Sequence, residues 1–191
     1  MPRLPTGLTP TAHLVLTTPS GAIEVPVCRP TFRPWRGAPA HTFGGKDLLE
    51  VDGRPQFAEV AILRLFEQAG WQGRWVETYG HGKLTPGLWR DWHPDGPRAQ
   101  THHPIEAAWV RERLHAIAMV NGNSYSGCWD VVAWSLDASG TDRLVFAESK
   151  KAKHDRMRST QVRWLEAAME CGMKAEDFLV VEWVLVPSVE H

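Results

Sequence analysis

The sequence predicts one α/β domain, because segments with strand character and segments with helix character alternate along the chain. Residues 12–28 contain two β-rich runs around a Pro-Ser-Gly turn, which is typical of a hairpin. Residues 55–70 carry a wide apolar face at helical spacing and end in glycine, which predicts a mostly buried helix. Residues 130–136 and 143–150 are apolar runs joined by a short polar turn, which predicts a second hairpin.

Length, charge and cysteine content narrow the function classes. A chain of 191 residues can bury a real core and fits one domain, or a domain with a small appendage. The formal net charge is −1, so nucleic-acid binding would need a local basic patch. The three cysteines form no Cys-x-x-Cys pair, which argues against a disulfide framework and fits a reducing compartment. No stretch approaches ~20 apolar residues, and the N-terminus lacks an apolar signal core, so we expect a cytoplasmic protein without a membrane partner.

We divide the chain into an N-terminal extension, residues 1–54, and a main domain, residues 55–191. The extension holds the first hairpin and a Pro- and Gly-rich segment that we expect to be a surface loop. In the main domain, Pro55 suits the first position of a helix and Gly70 suits its end. The remaining predicted elements, in order, are a strand at 71–79, a loop at 80–103, a helix at 104–122, the strand–turn–strand unit at 130–150, a helix at 159–171 and a final strand at 178–186.

Three charged residues lie at one end of the second predicted hairpin. Asp130 begins its first strand, and Glu148 and Lys150 end its second strand. Because side chains alternate between the two faces of a strand, a pairing of residue 130 with 148 or with 150 places all three charges on one face. A slip of one residue would set Asp130 opposite Ser149 and separate them. The turn length allows either register.

If the three side chains converge, two carboxylates lie side by side next to an ammonium group. Like charges ~4 Å apart repel by roughly 4 kcal/mol at an effective dielectric constant near 20, and Lys150 offsets only part of this. A divalent cation would satisfy both carboxylates, since hard cations prefer oxygen ligands. Lys150 could then orient or deprotonate a water molecule, or stabilise charge on a phosphate. The alternative is a solvated pair of charges at a strand end, which contributes little to stability.

Three motifs follow one another between residues 127 and 186. They are GCWDVVAW with its Gly-x-x-Asp, FAESKK with its Glu-x-Lys, and the glutamine-bearing helix STQVRWLEAAMECG. In this order they resemble the PD-(D/E)XK nuclease superfamily, and most closely its VRR-NUC (virus-type replication-repair nuclease) type. The resemblance implies a restriction-endonuclease-like mixed β-sheet flanked by helices, here with an N-terminal β-hairpin extension. It also implies a Mg²⁺- or Mn²⁺-dependent phosphodiesterase that hydrolyses DNA in repair, recombination or defence.

Carried over by position, the resemblance makes Asp130 and Glu148 metal ligands, with the backbone carbonyl of Ser149 as a third ligand. Lys150 would position or activate the attacking water. Gln161 would lie next to the site and support the lysine or the water.

The resemblance also implies a glutamate on an upstream helix. Glu59 in PQFAEVAILRLF is the best candidate, and it would add a carboxylate through a second metal or a bound water. The sequence departs from the family pattern at Trp129, where a proline is common before the aspartate. The His- and Trp-rich segment 80–103 has no counterpart in the pattern either. Both departures bear on the choice of substrate more than on the chemistry.

Basic residues follow the second hairpin, and on the nuclease interpretation they contact phosphates. They are Lys151, Lys153, His154, Arg156 and Arg158, with Arg163 on the next helix. The alternative is a solvated connector. In the predicted loop 80–103, Trp89 or Trp92 could stack on an unpaired base. The histidines of the same loop lack an evident fourth ligand for zinc.

The expected partner is DNA, which could be branched, flapped or single-stranded, and the protein could be a homodimer because many such nucleases cut both strands as dimers. A different class of function is a module on the same fold that binds DNA or a protein without cutting. Intact Asp130, Glu148 and Lys150 favour the enzyme, since a binding module has no need of a charge cluster that repels itself without metal.

Overall fold

The computed structural model describes residues 4–42, 44–136 and 142–186. In chain order, the strands in these ranges are β1 (Ala12–Thr18), β2 (Gly21–Cys28), β3 (Thr31–Phe32), β4 (Leu49–Val51), β5 (Arg54–Gln56), β6 (Gln72–Glu77), β7 (Gly87–Trp89), β8 (Val131–Leu136), β9 (Asp142–Lys151) and β10 (Phe178–Leu185). The α-helices are α1 (Ala58–Gln68), α2 (Ala108–Val120) and α3 (Ser159–Glu170).

Eight of these strands form one mixed sheet. Seven lie side by side in the order β1-β2-β10-β9-β8-β6-β7, and β3 pairs with β10 beyond the end of β2. Strand β10 runs parallel to β2, β3 and β9, whereas the other neighbours in the sheet are antiparallel. Strands β4 and β5 form a separate two-stranded sheet. The predicted α/β class, with a mixed sheet flanked by helices, is confirmed.

Helices cover both faces of the sheet because the central strands are apolar on both sides. On one face, Val132 of β8 and Phe146 of β9 pack in a core with α2 and α3. On the opposite face, Val131 and Val145 pack in a second core with Ile62 and its neighbours on α1. Strands β8 and β9 are therefore buried at the centre of the molecule, and polar groups are confined to their ends.

The first predicted hairpin is confirmed, and it continues the central sheet. Strands β1 and β2 pair through a tight turn in which Thr18 lies opposite Gly21. Strand β2 then pairs in parallel with β10, with Val27 opposite Val180. The N-terminal extension therefore adds strands to the same sheet as the main domain.

Two predicted helix starts are wrong. Pro55 lies in β5, where it pairs with Glu50, and α1 begins only at Ala58. The predicted helix at 104–122 begins at Ala108, since the guanidinium of Arg111 donates to the carbonyls of Ile105 and Glu106 and holds this segment outside the helix. In both places another local contact competes with the helical pattern and wins.

The two predicted loops hold more structure than expected. The segment 29–55 contains β3, β4 and part of β5, and 80–103 contains β7. These strands are only two or three residues long, so their alternation is too short to read in a sequence. The predicted turn at 137–142 falls outside the described residues, except for Asp142. No helix in the described part of the chain is long and apolar enough to cross a membrane.

The register of β8 and β9 decides whether the charged residues meet. Val131 lies opposite Ala147 in this antiparallel pair, so Asp130 faces Glu148. Asp130, Glu148 and Lys150 therefore share one face of the sheet, as expected for the register that pairs residue 130 with residue 148. The alternative register, with Asp130 opposite Ser149, is excluded.

Candidate active site

A cleft of about 1380 Å³ opens at the end of the sheet where β8 begins and β9 ends. Its walls come from α1, the end of β6, the segment 44–47, the start of α3 and the connector 151–158. Asp130, Glu148 and Lys150 all line it. The fold thus brings the three predicted charged side chains together in one solvent-accessible cleft.

Asp130 and Glu148 face each other in this cleft. The backbone N–H of Asp130 donates to Glu148 Oε2 at 3.3 Å, and the backbone N–H of Ser149 donates to Asp130 Oδ2 at 3.0 Å. Burial raises the pKa of both carboxyl groups. The charge of Glu148 raises the pKa of Asp130 further, whereas Lys150 acts on Glu148 in the opposite direction. The pair therefore resists carrying two negative charges unless a cation is added.

Lys150 is fixed beside Glu148. Its Nζ lies 3.0 Å from Glu148 Oε1 and 3.1 Å from Gln161 Oε1. Gln161 also donates through Nε2 to Glu148 Oε1 and accepts from the backbone N–H of Arg158 at 2.8 Å. Among the described residues, these contacts use two of the three N–H donors of the ammonium group, so the third can serve a ligand in the cleft.

The donor set at Asp130 and Glu148 fits a hard divalent cation. Both groups are carboxylates, they repel each other, and a cation between them would remove the repulsion that raises the pKa of Asp130. The backbone carbonyl of Ser149 is the predicted third oxygen, and water would complete the shell. No three His, Cys, Asp or Glu side chains in the described ranges form a group that could hold a metal ion.

Glu59 of α1 also lines the cleft, but it is paired with a lysine of the N-terminal extension. Lys46 Nζ donates to Glu59 Oε1 at 2.7 Å. The charge of Glu59 contributes to the raised pKa of Asp130, so the two carboxylates interact.

Glu77, at the end of β6, is a further carboxylate in the cleft wall. Burial raises its pKa, and it accepts a 2.7 Å hydrogen bond from the backbone N–H of Tyr79.

The predicted phosphate-binding residues divide into two groups. Those that line the cleft are Lys151, His154, Arg156 and Arg158. Lys151 is paired with Asp47, with 2.8 Å between Nζ and Oδ2. Lys153 and Arg163 are not part of the cleft wall. The guanidinium of Arg163 instead donates to Asn121 Oδ1 at the end of α2, at 2.9 Å.

The two tryptophans expected to stack on a base belong to an aromatic cluster. Trp92 is only 1% exposed, and its ring lies 4.7 Å from that of Phe57, so this expectation is wrong for Trp92. Trp89 packs edge-on against Trp75, with 4.8 Å between the two ring centroids. The exposed aromatic side chain of the cleft is Tyr79, which is 84% exposed.

The loop before Asp130 is held against the start of α3. A Cβ added to Gly127 would lie 2.0 Å from the carbonyl oxygen of Thr160, and the φ of Gly127 is +85°. The fully buried Trp129 donates through Nε1 to the carbonyl of Gln161 at 3.1 Å and packs against Phe178. The glycine of Gly-x-x-Asp and the bulky residue before the aspartate therefore both fix Asp130 relative to α3.

We expect Gly127→Ala to destabilise the protein by about 3 kcal/mol, because it combines a backbone clash with an unfavourable φ. Gly122→Ala is the matched control, since Gly122 has a φ of +76° but nothing within 4 Å of its added Cβ. It should lose only about 1 kcal/mol, from the backbone strain alone. Urea unfolding of both variants measures the difference, and equal losses would contradict the proposed contact between the loop and α3.

Lys46 and Glu77 are site residues that the sequence interpretation missed. Lys46 lies in the Pro- and Gly-rich segment that was expected to be a surface loop, and no local pattern marks it. Glu77 lies inside the predicted strand 71–79, whose neighbours in the sheet could not be known from the sequence. Trp129 was noted only as a departure from the family pattern.

Comparisons of the chain with protein-family models, with curated proteins and with solved structures found no match.

Proposed function

We propose that the protein is a Mg²⁺- or Mn²⁺-dependent nuclease of the restriction-endonuclease-like fold that hydrolyses phosphodiester bonds of DNA. The observation that carries this proposal is the convergence of Asp130, Glu148 and Lys150 on one face of β8 and β9, inside a cleft. A self-repelling pair of carboxylates, of which Glu148 is buried and Asp130 is partly buried, is costly next to an ammonium as a purely structural feature, and it is suited to holding a cation beside a phosphate.

Each residue of the cleft has a separate role in the proposed hydrolysis. A bound divalent ion would polarise the phosphate and lower the pKa of a water molecule, which is the chemistry that such ions supply. Asp130 and Glu148 hold the negative charge that binds the cation. Lys150, whose position is set by Glu148 and Gln161, donates its remaining N–H to the attacking water or to a phosphate oxygen. Hydrolysis forms a bond between the water oxygen and phosphorus and breaks one bond to a sugar oxygen, which leaves a phosphate monoester and a free hydroxyl.

The connector between β9 and α3 supports DNA as the substrate. The basic side chains Lys151, at the end of β9, and Arg156 and Arg158, in the connector, line the same cleft as the carboxylate pair and can neutralise backbone phosphates. Because the whole chain has a net charge of −1, this binding would come from the local patch and not from the overall field. We therefore expect the affinity for DNA to fall steeply as the salt concentration rises.

Titration of Mg²⁺ or Mn²⁺ into the protein with plasmid, flapped and single-stranded DNA tests the proposal. We expect strand cleavage that requires the metal, saturates with its concentration and stops on addition of EDTA. The Asp130→Asn protein, purified in the same way, controls for contaminating nucleases. Binding of DNA without cleavage at any metal concentration would instead support the module that binds without cutting.

A further inference from the structure

Lys46 is the single lysine in residues 1–54, and its ammonium group reaches a carboxylate of the cleft. Its Nζ lies 2.7 Å from Oε1 of Glu59, a carboxylate that is itself only 7% exposed. The same Nζ lies 5.7 Å from the ring centroids of Phe57 and Trp75, which is within the range of a cation–π contact. Three separate groups therefore hold the charge at this position.

The backbone around Lys46 is anchored as well. The N–H of Lys46 donates to the carbonyl of Thr42 at 3.0 Å, and the N–H of Trp35 donates to the carbonyl of Leu48 at 2.8 Å. On the other side of Lys46, the carboxylate of Asp47 is paired with Lys151 on the rim of the cleft. The Lys46 side chain is 43% exposed, and its ammonium group is held at the cleft by the ion pair with Glu59 and by these neighbouring contacts.

Glu59 is the residue that a second metal ion would need. In nucleases that use two ions, the second ion stabilises the oxygen that leaves, and it requires carboxylate ligands of its own. Here Lys46 already donates to Glu59, and its charge also interacts favourably with those of Asp130 and Glu77. An incoming divalent ion would have to displace the ammonium group that is paired with Glu59.

We infer that Lys46 supplies the second positive charge of the site, so that the protein binds one divalent ion at Asp130 and Glu148, with Glu59 as the partner of Lys46 and not a metal ligand. This inference rests on the proposed function. It differs from the expectation that Glu59 contributes through a second metal or a bound water. The second positive charge comes instead from Lys46, in a segment outside the matched motifs.

Counting bound Mn²⁺ by electron paramagnetic resonance tests the inference without an activity assay. The signal of free aqueous Mn²⁺ falls as ions bind, so a titration gives the number of sites. We expect one ion in the unmodified protein. Lys46→Met should bind two, because the carboxylates of Glu59 and Glu77 lose their counter-charge. The double variant Lys46→Met/Glu59→Gln should return to one ion.

Two control variants distinguish the loss of the positive charge at Lys46 from a general effect of substituting a lysine. Lys46→Arg keeps the positive charge and should bind one ion. Lys174→Met removes an exposed lysine whose nearest carboxylate is that of Glu176, 3.7 Å away, and it should also bind one ion. Two ions in the unmodified protein, or a single ion in Lys46→Met with native circular dichroism, would overturn the inference. No bound ion in any variant would reject the metal site itself, and with it both proposals. One bound ion without DNA cleavage would reject the nuclease and leave the ion count standing.

Discussion

Lys150→Ala is expected to reduce DNA hydrolysis by about 10³-fold or more, because it removes the donor placed beside the carboxylate pair. The Nζ of Lys150 is held by Glu148 and Gln161, so the substitution removes a donor from a defined position in the cleft. The basic residues of the connector remain in this variant. DNA affinity should therefore change by less than about tenfold.

The same substitution leaves Glu148 buried without its cationic partner. Loss of one member of a buried pair costs about 3–5 kcal/mol, so cleavage must be measured well below the melting temperature of the variant. Single-turnover cleavage and fluorescence anisotropy in Ca²⁺ give the rate and the affinity separately. Lys174→Ala, at an exposed ion pair, should behave as the unmodified protein does. Persistent cleavage in folded Lys150→Ala would falsify the assignment of this lysine.

Asp130→Asn is expected to stabilise the metal-free protein by about 2 kcal/mol and to abolish its stabilisation by Mn²⁺. The amide removes the repulsion with Glu148 and can keep the hydrogen bond from the Ser149 N–H through its oxygen. It also removes one of the two carboxylates that would hold the ion. Opposite effects in the absence and the presence of metal distinguish a ligand from a structural carboxylate.

The pH dependence follows from the raised pKa of Asp130, which burial and the charge of Glu148 cause. Between the ordinary range of an aspartate and this raised value, the folded metal-free protein keeps a proton that the unfolded chain has lost. The free energy of unfolding therefore falls as pH rises through this window, and metal affinity rises as the proton is displaced.

Differential scanning calorimetry at several pH values, with and without Mn²⁺, measures both effects. Glu24→Gln, at an exposed position of β2 far along the chain from the cleft, should leave the stabilisation by Mn²⁺ unchanged. If Asp130→Asn kept the stabilisation by Mn²⁺, Asp130 would not be a ligand.

The central strands and the charges at their ends could be predicted because both depend on local pattern. The apolar runs 130–136 and 143–150 indicated β8 and β9, and alternation placed Glu148 and Lys150 on one face. The register of β8 against β9 could not be predicted from the local sequence pattern, since it depends on the geometry of the turn that joins the two strands. The structure selects the register in which Asp130 faces Glu148.

The rest of the site depends on contacts between segments that are distant in the chain. Lys46 and Glu59 are brought together by the path of the extension, and Glu77 reaches the cleft because β6 pairs with β8. Arg163 fails to reach the cleft because its helix presents it to Asn121. Helical and strand periodicity fix a face of an element, but they do not state which other element covers that face.

The pairing of β10 with β2 and β3 has a consequence for any attempt to work with a shortened protein. Truncation of residues 1–54 would leave β10 as an edge strand, with a row of unpaired N–H and C=O groups along a largely apolar sequence. Such an edge recruits strands from other molecules, so we expect the shortened chain to aggregate instead of folding as an independent unit.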